Sequence, residues 1–176
     1  ASKIAADRMA YAYTTTYGMD IAIMRLFNVY GPRQRDVGYG GVISIFTRRV
    51  LGGVPPMIYG NGLQTRDYTY VTDAVRAYDA ALQYEGRLDG PVNFGAGKEI
   101  SILALAEMII ELSGRNGIVQ PFHVDARIGE VKRLIADASR ARELFGWEPQ
   151  VDFRTGLQSF VEWYGRNGFE ERCSLE

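Results

Sequence analysis

Met24-Arg25-Leu26-Phe27-Asn28-Val29-Tyr30-Gly31-Pro32-Arg33-Gln34 joins an apolar run to a polar, ring-bearing loop. Upstream, Ile21 to Phe27 is almost unbroken apolar sequence, which predicts a parallel strand covered on both faces. Strands of that kind deliver their loops to the carboxyl edge of an open α/β sheet, where such sheets bind ligands. Asn28, Tyr30, Arg33 and Gln34 are the groups offered there. Taken alone, the stretch reads first as an ordinary strand-to-loop exit.

Working outward, residues 2 to 17 place Ala6, Ala10, Tyr13 and Tyr17 at helical spacing, an amphipathic helix that Gly18 stops. Gly38, Gly40 and Gly41 with Tyr39 predict a flexible loop before a helix from about Val42 to Leu51. Gly52-Gly53 ends it, and Pro55-Pro56 forces an extended approach to a short strand, Met57 to Tyr59. Asn61-Gly62 reads as a turn. A strand from Tyr68 to Val71 leads into a helix capped by Thr72 or Asp73 and running to about Tyr84. Val71, Val75, Tyr78 and Leu82 are its expected buried stripe. Another helix runs from Ser101, as cap, to Leu112 and is ended by Gly114. Strand-like residues follow from Ile118 to Val124, then a short helix capped by Asp137 and a last one from about Thr155 to Tyr164. Strands alternating with helices indicate α/β.

The 176 residues suit one medium domain with a real core, and 47% of them are apolar. A net charge of −1, with arginines scattered among acids, argues against nucleic acid or an anionic membrane as partner. No apolar run approaches the roughly 20 residues of a membrane span, and no signal-peptide pattern is present. The single cysteine, Cys173, cannot form an internal disulfide, which fits a reducing cytoplasm. His123 stands without cysteine or histidine partners in an apolar strand, so no metal site is expected.

Several segments recur together: Ile58-Tyr59-Gly60-Asn61-Gly62-Leu63-Gln64-Thr65-Arg66-Asp67-Tyr68-Thr69-Tyr70-Val71, Val92 to Gly97, Arg127 to Val131, Ala136 to Ala141, and Leu144 to Pro149. With the opening stretch, they resemble, in order and over nearly the whole chain, the NAD-dependent nucleotide-sugar epimerases and dehydratases of the extended short-chain dehydrogenase/reductases. The nearest resemblance is to the UDP-glucose 4-epimerases. Ala1-Ser2-Lys3 resembles the end of that family's Tyr-x-x-x-Lys motif, whose tyrosine would precede Ala1. The family's glycine-rich dinucleotide fingerprint has no counterpart; Gly95-Ala96-Gly97 comes nearest but has Ile100 at the third glycine position. The expectation is therefore a C-terminal half of such an enzyme. Its fold would be part of a Rossmann-type parallel sheet (about 1–32 and 67–95) interleaved with the small α/β substrate-binding domain (about 33–66 and 96–176).

The resemblance also implies roles. Lys3 would bond the nicotinamide ribose and lower the pKa of the catalytic tyrosine, since a cation beside a phenol stabilises the phenolate; alternatively it is a solvated lysine near a terminus. Arg66 and Arg127 would clamp the substrate diphosphate, which the planar guanidinium fork suits. The competing partner for Arg66 is Asp67. Tyr59 and Tyr68 would face the base and ribose, or be core aromatics. Glu130 would accept from ribose hydroxyls, although aspartate is commoner there. Asn28 would reach the phosphosugar, or cap its loop. Val42 and Ile43 would offer backbone to the nucleotide while their side chains pack the helix core. Asn93, Gly95 and Gly97 read more simply as a strand-end turn.

In an intact parent, NAD would oxidise a sugar hydroxyl and return the hydride to the other face of the rotated keto-sugar. The chain alone is expected to bind a UDP-sugar without holding NAD or catalysing. Alternatives are a non-catalytic binding or interaction module, a half-enzyme completed by another polypeptide, and a dehydratase fragment. A homodimer burying the 2–17 helix and the Ile21 to Phe27 strand is expected, because exposed edges and large apolar patches recruit other chains.

Overall fold

The computed structural model describes residues 1–36 and 40–167. Gly38 and Tyr39 of the expected glycine loop, and Cys173, fall outside these residues. The elements in chain order are α1 (Ser2–Tyr17), β1 (Met24–Leu26), β2 (Val29–Tyr30), α2 (Val42–Leu51) and β3 (Met57–Tyr59). Next come β4 (Thr65–Arg66), β5 (Thr69–Tyr70), α3 (Val71–Leu82), β6 (Val92–Phe94) and β7 (Ile100–Ser101). The chain continues with α4 (Ile102–Leu112), β8 (Phe122–Val124), β9 (Arg133–Leu134), α5 (Ser139–Phe145) and α6 (Phe153–Asn167).

The fold is α/β with parallel pairing. Parallel pairs join β1 to β6, β2 to β5 and β3 to β8, while β4 lies between antiparallel β7 and parallel β9. Each parallel pair joins strands far apart in sequence, with helices between them, as parallel pairing requires. The main core lies where α2, α4 and α6 meet, around Ile43, Val50, Leu105, Ile109, Leu157 and Phe160. A second cluster packs Val92 and Phe94 of β6 against Ala77, Ala141 and Trp147.

The punctuation read from the sequence is largely where the chain turns. Gly18 takes the left-handed conformation (φ 66°) that a side chain resists, and it ends α1. The Ser101 hydroxyl accepts from Ala104 N at 3.1 Å and caps α4. Leu63 N bonds Asn61 Oδ1 at 3.0 Å, closing the Asn61-Gly62 turn.

Several expectations need correction. The strand after Ile21 is only three residues long and half-exposed, with Arg25 outward, because β6 is its one partner among the described residues. No residue of α1 is buried within the chain, which leaves its apolar stripe uncovered, the condition on which the expected homodimer rests. Helix α3 begins at Val71 without a side-chain cap. Its apolar stripe faces outward, with Val75 61%, Tyr78 53% and Leu82 85% exposed, while Asp73, Ala74 and Ala77 turn inward. Small residues permit the close approach of α3 to the second cluster. The Asp73 carboxylate is satisfied there by Arg76 and by the amides of Gln150 and Val151, the latter at 3.1 Å. The strand expected from Ile118 is confined to β8, preceded by a turn, and α5 starts at Ser139, whose amide Asp137 Oδ1 receives at 3.0 Å.

Candidate functional site

A cleft of about 460 Å3 opens between the loop after β1, the start of α2, strands β3 and β4, and the β8–β9 loop. Ile43 and Phe46 of α2, Ile102 of α4 and the Tyr68 ring give it an apolar floor. Asn28, Gln34, Gln64, Arg66, Arg127 and Glu130 supply polar walls. Sites of this composition hold small organic ligands: apolar surface for a ring, a few fixed polar groups for orientation.

Eight positions singled out in the sequence line this one cleft: Asn28, Val42, Ile43, Tyr59, Arg66, Tyr68, Arg127 and Glu130. Lys3 does not; it is exposed in the first turn of α1.

The contacts explain how each side chain is held. Asn28 sits at φ 34°, a conformation asparagine tolerates better than most residues. Its Nδ2 donates to the Asp67 carbonyl at 2.6 Å, so the loop-holding role is occupied while the residue still lines the cleft. Arg66 does not pair with Asp67. It donates to the carbonyls of Thr65 (2.8 Å) and Val131 (2.7 Å) and lies 3.4 Å from Glu130 Oε1. The Arg127 guanidinium stacks over the Tyr59 ring, 3.7 Å from its centroid. Burial pushes the Tyr68 phenol well above its usual range, with Arg66 acting in the opposite direction. Tyr68 therefore stays a neutral O–H, and that hydroxyl has no hydrogen-bond partner among the described residues. Tyr30 is also pushed up, chiefly by burial, and donates to Phe153 O at 3.2 Å.

Gln64 was not anticipated, whereas Gln34 is one of the groups that the loop after β1 was expected to offer, and both line the cleft. Gln64 Nε2 donates to Tyr59 O at 3.0 Å and reaches Glu130 Oε2 at 3.5 Å. A signal existed: Gln64, Arg66 and Tyr68 follow the two-residue strand period and all line the cleft. Gln34 Nε2 donates to Val29 O at 2.9 Å, leaving its buried Oε1 without a partner among the described residues. At the N-terminus of α2, Gly41 makes no side-chain cap, so first-turn amides there lack helical acceptors.

Asp67 plays a different part. Fully buried, it accepts from Ala96 N (3.0 Å), Gly97 N (2.9 Å) and Ala136 N (3.0 Å). A Cβ on Gly95 would fall 2.3 Å from Ala136 Cβ and 2.9 Å from Asp67 Oδ2, so only glycine fits. The Gly95-Ala96-Gly97 turn thus spends its amides on an internal carboxylate. It does not fit the pyrophosphate of NAD. His123 Nδ1 lies 2.7 Å from Gly60 O, and no group of three or more metal-binding side chains occurs among the described residues. Among those residues, no helix is long and apolar enough to cross a membrane.

The α/β fold is that of the nucleotide-sugar epimerases and dehydratases. Residues 1–160 match the family described as GDP-mannose 4,6 dehydratase, and the chain belongs to that family. It is 38% identical over 166 residues to a putative UDP-glucose 4-epimerase of Methanocaldococcus jannaschii, covering 94% of this chain and 52% of that protein. The crystal structure of UDP-glucose 4-epimerase from Thermotoga maritima, with UDP-glucose, matches with a TM-score of 0.87 at 34% identity, over 93% of this chain and 52% of that one. The dTDP-glucose 4,6-dehydratase of Bacillus anthracis, in complex with NAD, matches with a TM-score of 0.81 at 33% identity, over 92% and 50%. The chain spans about half the length of the relatives it matches.

Proposed function

We propose that this chain is the nucleotide-sugar-binding part of an NAD-dependent, UDP-glucose 4-epimerase-like enzyme. The observation that carries the reading is the meeting of Arg66 and Arg127 in one cleft, although 60 positions separate them in sequence. A diphosphate would lie between the two guanidiniums, with first-turn amides of α2 as further donors. Tyr59 would border the base, the Tyr68 hydroxyl would find in the ligand the partner it lacks, and Glu130 would accept from the ribose. Arg127 would leave the Tyr59 face as it turns to phosphate. Relatives crystallised with UDP-glucose and with NAD support the ligand class and the cofactor of the parent. The division into Rossmann part (about 1–32 and 67–95) and substrate part (about 33–66 and 96–176) belongs to the same proposal. In the whole enzyme NAD would supply the hydride chemistry, held by residues other than those of this cleft.

Calorimetric titration of residues 1–176 should therefore show UDP binding more tightly than NAD. Arg127→Ala should weaken UDP by about 1.5–3 kcal/mol, the range for hydrogen bonds to charged groups. Equal or reversed affinities, or an unaffected Arg127→Ala, would contradict the assignment. The same chain, given UDP-glucose and NAD, is expected to form no UDP-galactose; formation above a heat-killed control would show that it catalyses by itself.

The exposed apolar side chains of α1 (Ile4, Met9, Tyr11, Tyr17) and α3 (Val75, Tyr78, Leu82) support a homodimer in which these helices are covered. Light scattering coupled to size exclusion should report twice the chain mass at micromolar concentration. A monodisperse monomer would count against it.

A further inference from the structure

Two of the cleft's charged groups, Arg127 and Glu130, ride on residues 125–132, between β8 and β9. No residue from 125 to 135 is buried, and Ile128 projects fully into solvent. Hydrophobic packing therefore does not fix this loop. Its exit is β9, only two residues long and, among the described residues, paired with β4 alone. A strand that short holds its register weakly unless side chains add to it.

Glu99 adds to it. It immediately precedes β7, on the far side of β4 from β9. Its carboxylate receives Arg133 through two parallel bonds, Nε to Oε1 and Nη2 to Oε2, both 2.7 Å. The Thr65 hydroxyl of β4 donates to Oε1 at 2.6 Å. One carboxylate thus spans the three-stranded sheet and ties β9 to it. Just upstream, Thr65 N donates to the Lys132 carbonyl (2.9 Å) and the Arg66 guanidinium donates to the Val131 carbonyl. Bidentate guanidinium–carboxylate pairing fixes orientation as well as distance, unlike the usual loose surface pair. Arg133 and Thr65 hold the Glu99 carboxyl down to about 2, so the clasp stays charged across the physiological range. Glu99 itself does not line the cleft.

We propose that Glu99 is a positioning residue for nucleotide binding: through Arg133 it fixes the 125–132 loop and so aims Arg127 and Glu130 into the cleft. This rests on the cleft's reading as a nucleotide-diphosphate site.

The test combines amide hydrogen exchange of the ligand-free protein with UDP titration. It uses Glu99→Ala, Arg133→Ala, Arg127→Ala and the Glu99→Ala/Arg127→Ala double variant. Glu99→Ala and Arg133→Ala should each speed exchange across 125–132 about tenfold while α4 is unchanged. Each should weaken UDP about five- to tenfold, whereas Glu99→Ala in the Arg127→Ala background should cost clearly less, about two- to threefold, the part that runs through Glu130. Unchanged loop exchange overturns the proposal, as does an undiminished effect of Glu99→Ala when Arg127 is already gone. Exchange that rises equally in α4 and the loop also overturns it, in favour of general destabilisation. Wild-type protein that fails to bind UDP overturns the reading of the cleft, and the exchange data still report whether Glu99 holds the loop.

Discussion

Replacing Asp67 with alanine should cost about 3–5 kcal/mol of folding stability, the steep end of single substitutions. Its carboxylate is fully buried and receives three backbone N–H groups, from Ala96, Gly97 and Ala136. Alanine would leave these donors without an acceptor where water has little access. Asp67→Asn should cost less, about 2 kcal/mol, since the amide oxygen can keep the Gly97 and Ala136 bonds but its NH2 must then face Ala96 N–H. Urea unfolding monitored by circular dichroism reads both changes as midpoint shifts. A loss of under about 1 kcal/mol for Asp67→Ala would show that the turn finds other acceptors. UDP affinity should fall as well, because Arg66 and Tyr68 flank Asp67 and Asn28 is held by its carbonyl.

Phe160→Ala should be comparably damaging, at about 3–5 kcal/mol. The ring is fully buried on α6, against Trp163 and Tyr164, in the core that also contains the cleft-floor residues Ile43, Phe46 and Ile102. Truncation leaves a void that a junction of three helices closes only in part. Thermal unfolding should move down by roughly 10 °C for a chain of this size. Phe160→Leu, which restores most of the volume, should cost no more than about 1.5 kcal/mol. A loss for Phe160→Ala matching that of Phe160→Leu would indicate that α6 collapses onto the gap.

These two residues mark what was and was not legible in the sequence. Turn and cap chemistry is local, so Gly18, Ser101 and the Asn61-Gly62 turn were readable from a few neighbours. The cleft residues were readable as well, through the resemblance of whole segments; the chain's own spacing could not have brought Arg66 to Arg127. Asp67 was not readable. Its partners lie 29 to 69 residues away, and nothing in the local pattern of Thr65-Arg66-Asp67-Tyr68 separates a surface ion pair from a buried acceptor. Helix α3 shows a different limit. Its Val71, Val75, Tyr78 and Leu82 form a clear apolar stripe, but periodicity identifies a face without saying what covers it. Here the inward face is Asp73, Ala74 and Ala77, chosen by close packing and one buried carboxylate, and the greasy face is left outward. The strand of Met24 to Leu26 departs for a related reason: burial on both faces depends on neighbours, and β6 is its one partner among the described residues.

The claim that Arg66 and Arg127 form a diphosphate clamp is tested most directly by a crystal structure of the chain grown with UDP. The diphosphate should lie within hydrogen-bond distance of both guanidiniums, with Arg127 lifted from the Tyr59 ring and the base bordered by Tyr59. A diphosphate touching neither arginine, or UDP bound outside this cleft, would contradict it.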